Sequence, residues 1–233
     1  MLGDLFDRLG LRRIRAARLG QQPDGLRLEL RRVSRSFCHG SIISHRVRGN
    51  TEQKSVHITP IHERPFDPGD RGGFGHWEAD SVIGTGCHLH TEVERRTRFL
   101  MAAIIPDRTA DESVGAQLAM FSPLPAGARA SVTHDNGAEF ARHARLRDEL
   151  GMATYFADPY SSWQLGSNEN RNGMIRYLPK RAVIDPGMAR EVQEIVDEIN
   201  NRPMRVLGYR TPAEAFTDEL LNLKTQQGCC TYK

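Results

Sequence analysis

Three apolar-rich runs separated by short breaks lie between His76 and Ile105, and they constrain the fold more than any other part of the sequence. The runs cover residues 76–83, 87–94 and 99–105. The breaks, Gly84-Thr85-Gly86 and residues 95–98, have room only for tight turns. The pattern is typical of consecutive antiparallel strands joined by hairpins. The sequence therefore predicts a three-stranded meander that begins at His76.

Helical and strand patterns alternate after this meander. The predicted elements are a helix at 110–121, a strand at 130–133, a helix at 139–150, a strand at 153–157, and helices at 167–179, 188–200 and 211–221. The last helix opens with Thr211-Pro212-Ala213-Glu214, a capping box with proline at the first helical position. Three strands followed by helix–strand units predict an α/β fold with a mixed five-stranded sheet flanked by helices.

Composition divides the chain into four predicted regions. Residues 1–57 form a basic segment of unknown fold, and residues 58–74 are rich in glycine and proline, as in a linker. Residues 75–222 form the core with its C-terminal helices, and residues 223–233 form a tail.

The first region is more positively charged than the rest of the chain. Residues 1–50 hold eleven arginines against four acids, although the whole chain carries only +3. Basic stretches of this kind often contact phosphate backbones. However, only four of the 32 basic residues are lysines, so a general preference for arginine explains the excess almost as well.

No part of the sequence predicts a membrane or secreted protein. No apolar run approaches the roughly 20 residues that cross a bilayer, and the N-terminus has an acid, Asp4, where a signal peptide is basic. A cytoplasmic protein without a membrane partner is expected. The four cysteines favour free thiols over a zinc site, since Cys229 and Cys230 are adjacent.

Three acids stand out by position. Asp80 interrupts the first strand, Asp135 follows the fourth strand, and Glu169 falls in the first turn of a helix. The first and fourth strands of such a sheet are commonly neighbours, so these acids are expected to converge. Clustered carboxylates repel one another unless a hard cation such as Mg²⁺ neutralises them. Each acid also has a simpler explanation: an edge residue, a turn residue before Asn136-Gly137, and an ordinary helix acid.

The sequences around these acids resemble the insertion-sequence-thirty family of bacterial transposases. The matching blocks between Ile58 and Phe216 are Gly75-His76-Trp77-Glu78-Ala79-Asp80, Val93-Glu94-Arg95-Arg96-Thr97-Arg98-Phe99, Thr133-His134-Asp135-Asn136-Gly137, Asp158-Pro159, Ser162-Trp163-Gln164, Gly166-Ser167-Asn168-Glu169-Asn170, Asn172-Gly173, Leu178-Pro179-Lys180, Asn201-Arg202-Pro203 and Leu207-Gly208-Tyr209-Arg210-Thr211-Pro212-Ala213-Glu214. Such chains have an integrase-type catalytic core with a ribonuclease-H-like fold. They usually begin with a helix-turn-helix domain, for which residues 1–50 show no convincing counterpart.

The resemblance implies a specific chemistry. Asp80, Asp135 and Glu169 are then the catalytic triad and bind two Mg²⁺ or Mn²⁺ ions, and Arg176 and Lys180 contact DNA. The implied reaction is cleavage at the ends of a mobile element, after which a 3′-hydroxyl attacks target DNA. The implied partners are the transposon ends, target DNA and further copies of the chain, and the implied location is the bacterial nucleoid.

Two other functions stay open at this point. A catalytically silent chain would bind DNA, or pair with a full-length transposase, as a regulator. An RNase-H-like nuclease would act on another nucleic acid. The intact set of three acids favours the enzyme, and the block Ser167-Asn168-Glu169-Asn170 favours a transposase over a general nuclease.

Overall fold

A mixed sheet of five strands lies at the centre of the fold, as the sequence predicts. The computed structural model describes residues 58–67, 69–159, 161–165 and 183–229, without the side chains of residues 162, 163 and 226–229. The strands in chain order are β1 (His76–Val82), β2 (Thr85–Gly86), β3 (His88–Glu94), β4 (Leu100–Ile105), β5 (Ser131–His134), β6 (Ala153–Phe156) and β7 (Val183–Ile184). The central sheet has the order β4-β3-β1-β5-β6, and β2 pairs with β7 in a separate small sheet.

The predicted meander is confirmed as strands β1, β3 and β4, which pair antiparallel. The turn between β3 and β4 is held by the buried carboxylate of Glu94. It accepts hydrogen bonds from the backbone N–H of Gly75 (3.1 Å) and of Thr97 (2.6 Å), and from the Thr97 hydroxyl (2.7 Å). A buried acid is tolerated there because its oxygens are satisfied by donors.

Strands β5 and β6 extend the sheet in parallel on the other side of β1. Helix α1 (Ala110–Phe121) precedes β5, and its first turn is capped by Thr109, whose side chain accepts the N–H of Glu112. Helix α2 (Ala144–Leu150) precedes β6 and ends at Gly151, which has a φ of 70°. The helix predicted over 139–150 is therefore shorter, because residues 138–140 form a separate 3₁₀ turn.

One face of the sheet packs against α1 and the C-terminal helix α4 (Pro212–Cys229) through aromatic side chains. Trp77 of β1 is fully buried and meets Phe121 of α1 and Phe216 of α4 edge-on, with ring centroids 5.3 and 5.8 Å apart. Its indole Nε1 donates to the backbone oxygen of Ala128 at 2.8 Å. Trp77 is thus a core residue with its one polar atom satisfied.

The opposite face is covered at its β3–β4 end by helix α3 (Ala189–Asn200). Val192, Val196 and Ile199 lie on one stripe of this helix and pack with Leu89 and Val93 of β3 in a buried apolar cluster. These spacings of four and three residues are those of a helix with one buried side.

Helix α3 also fastens β4 with its last residue. The Asn200 side-chain oxygen accepts the N–H of Leu100 (2.9 Å), and its nitrogen donates to the Leu100 carbonyl (2.8 Å). Strand β4 is an edge of the sheet, so this pair satisfies backbone groups that no further strand pairs.

The range 58–74 is not a simple linker at its beginning. Pro60 forms a parallel bridge with Phe156 of β6, and the backbone N–H of Phe156 donates to Thr59 at 3.0 Å. Ile61 is fully buried. The glycines and prolines that predict a linker lie mostly after Arg64, whereas the apolar residue before them supplies the contact with the core.

The C-terminal helix is also longer than predicted. It continues past Leu221 to Cys229, so residues 223–229 belong to a helix rather than to a tail. No proline or glycine occurs between Asn222 and Gln227 that would end it. Residues 1–57, the helix predicted at 167–179 and residues 230–233 lie outside the described residues, so these predictions stay open.

The capping box at the start of α4 forms as predicted and should stabilise the fold. The Thr211 hydroxyl accepts the N–H of Glu214 (3.1 Å), and the Glu214 carboxylate accepts the N–H of Thr211 (3.0 Å). We expect Thr211→Ala to lower the free energy of unfolding by about 1 kcal/mol, because it leaves an end N–H without its acceptor. Urea unfolding is the measurement. Thr225→Ala, an exposed threonine within the same helix, is the matched control; equal losses in both variants would contradict a capping role.

Candidate active site

Two of the three predicted acids lie on neighbouring strands of the central sheet. Asp80 belongs to β1, and Asp135 directly follows β5. These strands pair in parallel with His76 opposite Ser131, Trp77 opposite Val132 and Glu78 opposite Thr133. The same register continued by two residues sets Asp80 opposite Asp135. Adjacent strands run about 4.8 Å apart, so the two carboxylates start from neighbouring backbone positions on one face of the sheet.

Both carboxylates are half-buried, and each is fixed by a nearby backbone amide. Asp80 Oδ1 accepts the N–H of Ser81 at 2.7 Å. Asp135 Oδ1 accepts the N–H of Gly137 at 2.9 Å, an Asx turn that ends the strand. The next residue, Asn136, donates its side-chain N–H to the carbonyl of Ala157 (2.7 Å) and so ties this turn to the end of β6.

A second carboxylate, that of Glu139, lies next to Asp135. A Cβ atom added to Gly137 would meet Glu139 Oε2 at 2.5 Å and Asp135 Oδ1 at 2.9 Å, so both acids flank this glycine. Glu139 is buried and forms an ion pair with Arg108, whose Nε donates to Glu139 Oε1 at 3.1 Å. The arginine therefore neutralises the added negative charge beside Asp135.

The surroundings of Asp135 raise the pKa of its carboxyl group. Burial is the largest effect and raises the pKa of the Asp135 carboxyl, and the neighbouring Glu139 raises it further. The hydrogen bond from Gly137 and the charge of Arg108 act in the opposite direction but leave the pKa above its usual value. A cation bound at Asp135 would lower this pKa and so favour the ionised form.

Behind Asp135, on the face that packs on α1, lies a chain of buried polar side chains. Gln117 Nε2 donates to Glu92 Oε1 (2.7 Å) and to His134 Nε2 (2.9 Å). His90 Nε2 donates to the same Glu92 oxygen at 2.8 Å. Since an amide nitrogen only donates, His134 Nε2 is the acceptor and its proton resides on Nδ1. Burial holds the pKa of His134 well below its usual value, so the ring is neutral.

On the face that carries Asp80 and Asp135, the preceding residues of the two strands are also polar. Glu78 of β1 is buried and accepts a hydrogen bond from Arg95 Nε at 3.1 Å. Thr133 of β5 accepts one from Arg64 Nη1 at 3.1 Å. These residues are two positions before the aspartates, and alternate residues of a strand share a face. The candidate site therefore rests on a paired polar layer rather than on apolar side chains.

The remaining predicted site residues, Glu169, Arg176 and Lys180, lie outside the described residues. Within the described ranges, no group of three histidine, cysteine, aspartate or glutamate side chains is arranged to hold a metal ion. Asp80 and Asp135 could supply carboxylate oxygens of the kind that Mg²⁺ prefers, and a third carboxylate ligand would have to come from another residue.

Sequence analysis did not select Glu139, Arg108 or Gln117. Glu139 could have been suspected from its position four residues after Asp135 in the same turn. Arg108 lies just before helix α1 and Gln117 lies within it, and both are far from Asp135 in sequence. They reach the site region only because this helix packs on the sheet.

Similar proteins were found by sequence. The transposase InsI for insertion sequence element IS30A of Escherichia coli (strain K12) is 38% identical, over 81% of this chain and 50% of that protein. The transposase for insertion sequence element IS1086 of Cupriavidus metallidurans is 35% identical, over 76% of this chain and 53% of that protein. This chain thus spans about half the length of the curated relatives it matches. No protein-family model matches it.

The fold also has a counterpart among solved structures. The catalytic core domain of BIV integrase superposes with a TM-score of 0.53, over 65% of this chain and 99% of that domain. The two sequences are only 18% identical, so the likeness concerns the fold. It supports the ribonuclease-H-like architecture expected from the sequence. Among the described helices, none combines the length and the hydropathy of a membrane-spanning segment.

The lack of a side chain at Gly137 should be essential to the turn at Asp135. We expect Gly137→Ala to lower the free energy of unfolding by about 1–3 kcal/mol, because the new methyl group meets two fixed carboxylates. Gly115→Ala is the matched control: nothing lies within 4 Å of its added Cβ in helix α1, so stability should rise by up to about 1 kcal/mol. Denaturant unfolding measures both. Similar changes in the two variants would show that the space at Gly137 is unimportant.

Buried histidines should make the fold sensitive to acid. Burial, and secondarily Arg147, lowers the pKa of His143, whose Nδ1 pairs with the Thr154 hydroxyl at 2.8 Å. The unfolded chain therefore binds more protons than the folded one below about pH 6.5. We expect stability to fall as the pH drops from 7 to 5.5, and less steeply in His143→Gln. The measurement is the unfolding free energy across this range; an unchanged slope in the variant would refute the role of His143.

Proposed function

Because this chain belongs to the insertion-sequence-thirty family of transposases, we propose that it carries the part of such an enzyme that cleaves DNA and joins the cut strand to a target. It spans about half of its relatives' length, so the proposal concerns the chemistry of this part. The proposed substrates are the ends of an insertion sequence and the target DNA.

The observation that carries the proposal is the parallel pairing of β1 with β5. Its register supports the convergence of Asp80 and Asp135 at one edge of the sheet, where a DNA strand could be bound from outside. Two carboxylates in close proximity repel each other in the absence of a cation. Their presence beside a backbone-fixed turn thus favours a metal site over a purely structural role.

The donor set fits a hard divalent cation. Asp80, Asp135 and, as the third ligand, Glu169 would hold two Mg²⁺ or Mn²⁺ ions through their carboxylate oxygens. Such a pair of ions supplies activation of the attacking oxygen and stabilisation of the leaving oxygen in a displacement at phosphorus. Glu169 lies outside the described residues, and its role rests on the resemblance of the block around it.

The protein's own contribution is to hold the aspartates in place. The amides of Ser81 and Gly137 orient the two carboxylates. Arg108 neutralises Glu139, which would otherwise compete with Asp135 for the cation and raise its pKa further. These contacts fix the geometry before substrate arrives, as a metal-dependent site requires.

The remaining assignments of the proposal concern DNA and assembly. Arg176 and Lys180 are proposed to contact DNA phosphates. Arg176 follows Glu169 by seven residues, about two helical turns in the predicted helix. Bringing two transposon ends together requires more than one copy of the chain, so a homo-oligomer is proposed, acting on DNA in the bacterial cytoplasm at the nucleoid.

The proposed triad can be tested by removing one charge at a time. With Mn²⁺ and DNA that carries the terminal repeats of the encoding element, the wild-type chain should nick the DNA at the element's ends and join them to other DNA. We expect Asp80→Asn, Asp135→Asn and Glu169→Gln each to lower the rate by more than about a hundredfold. Loss of a metal-binding carboxylate should exceed the 10–100-fold effect of losing an outer partner.

The matched control is Asp148→Asn, an exposed aspartate of α2 paired with Arg147. It should leave the rate close to that of the wild type. Activity that survives in Glu169→Gln would remove this residue from the mechanism. A wild-type chain that binds DNA but neither cuts nor joins it would instead support the alternative of a DNA-binding regulator.

A further inference from the structure

Arg64 closely follows Pro60, which pairs with the edge strand β6, and the guanidinium group of Arg64 is buried. The residue is only 6% exposed. Its guanidinium Nη1 donates a hydrogen bond to Thr133 Oγ1 of β5 at 3.1 Å. The neighbouring residues Pro65 and Asp67 are exposed, and Phe66 is half-buried.

Two nitrogen atoms of this guanidinium are left without a partner. Among the described residues, Arg64 Nε and Nη2 are buried and make no hydrogen bond. Burial, together with the positive charge of Arg95, lowers the pKa of Arg64 to about 10, which still leaves it charged at neutral pH. The negative charge of the buried Glu78 raises the pKa of Arg64 in turn, but the Oε1 atom of Glu78 pairs with Arg95. A buried cation with unsatisfied donors is unfavourable unless an anion binds there.

The guanidinium is held in a fixed position by an aromatic ring. Arg64 Cζ lies 5.1 Å from the centre of the Phe66 ring, and Arg95 Cζ lies 5.4 Å from it. Contacts of a cation with the ring face are attractive. Together with the bond to Thr133, this ring orients the two unpaired N–H groups before any ligand is present, so binding would cost little side-chain entropy.

The position of Thr133 relates Arg64 to the candidate active site. Thr133 is two residues before Asp135 and shares its face of β5, so the two residues are about 7 Å apart along the strand. Successive phosphates of a nucleic-acid strand have a similar spacing. An anion held by Arg64 would therefore be a neighbour of one bound at Asp80 and Asp135.

We propose that Arg64 is a phosphate-binding residue of this site: its Nε and Nη2 hold a non-reacting phosphodiester of the DNA strand that lies across Asp80 and Asp135. A guanidinium offers two parallel N–H groups, which match two oxygens of a phosphate. The proposal rests on the proposed function in so far as the chain must bind DNA. It adds a DNA contact from the segment before β1.

The test measures how strongly DNA binding depends on salt. The full chain is titrated with a short fluorescent DNA duplex of mixed sequence in EDTA, so that cleavage does not occur. Each phosphate contact contributes a slope of about −0.9 to a plot of log affinity against log salt concentration. Arg64→Gln should lose one such contact. The ratio of the wild-type DNA affinity to the variant's DNA affinity should therefore fall about threefold between 50 and 200 mM salt. Arg64→Lys keeps the charge and should keep the slope.

The matched control is Arg145→Gln, which removes the same charge from the exposed face of α2, where Arg145 pairs with Glu149. Its slope should equal that of the wild type. A wild-type slope in Arg64→Gln overturns the phosphate site and leaves the proposed function standing. A wild-type chain without salt-sensitive DNA binding overturns both.

A second measurement covers the case in which Arg64→Gln does not fold. The Nε–Hε signal of Arg64 is followed by NMR in the ¹⁵N-arginine-labelled wild-type chain and is assigned by its disappearance in Arg64→Lys. We expect this signal to shift when the duplex is added, because the N–H gains a phosphate acceptor. A signal that stays fixed at saturating DNA overturns the proposal and leaves Arg64 as a structural link between Phe66 and Thr133.

Discussion

The parallel pairing of β1 with β5 is the contact on which the rest of the site depends. It joins the antiparallel meander of β1, β3 and β4 to the parallel strands β5 and β6. It also sets the position of Asp80 along the strand direction relative to Asp135. A slip of one residue would move one of the two carboxylates to the opposite face of the sheet. Packing on the opposite face of the sheet stabilises this register. Trp77 lies between Phe121 and Phe216, and a shift of β1 along β5 would remove these contacts.

The two faces of the sheet treat polar groups differently. On the α1 face, Oε1 of the fully buried Glu92 accepts hydrogen bonds from Gln117 and His90, and the neutral His134 accepts one from Gln117. Among the described residues, Glu92 Oε2 and the Nδ1 atoms of His90 and His134 are buried without a hydrogen-bond partner. The hydrogen bonds of this network therefore offset only part of the cost of burying its polar groups. On the other face, Glu78 pairs with Arg95, whereas the one hydrogen bond that Asp135 accepts from the described residues comes from a backbone amide, and burial raises its pKa. The buried charge of Glu78 is therefore paired, whereas the burial of Asp135 is only partly compensated, and a bound cation would compensate it further.

Three arginines near the site differ in their hydrogen-bond partners, and these partners indicate which of them stabilise the fold and which could bind a ligand. Arg95, Arg108 and Arg64 are all basic residues close to the site. Arg95 and Arg108 each pair with a buried carboxylate, so their charge is used within the fold. Within the described part of the chain, Arg64 has a hydroxyl partner for one of its nitrogen atoms and no hydrogen-bond partner for the other two. Because their contacts differ, we propose a ligand-binding role for Arg64 and a structural role for Arg95 and Arg108.

Local sequence patterns were enough to predict the strands of the central sheet and helices α1, α3 and α4, together with the positions of Asp80 in β1 and Asp135 after β5. Alternating apolar runs predict β1, β3 and β4, the capping box predicts the start of α4, and the turn residues after Asp135 predict the end of β5, because these signals act between residues close in the chain. The contacts of Arg108 with Glu139, of Gln117 with His134 and of Arg64 with Thr133 could be seen only in the folded chain. These pairs are 17 to 69 residues apart. Each depends on how a helix or an edge segment packs on the sheet, a choice that local propensity leaves open.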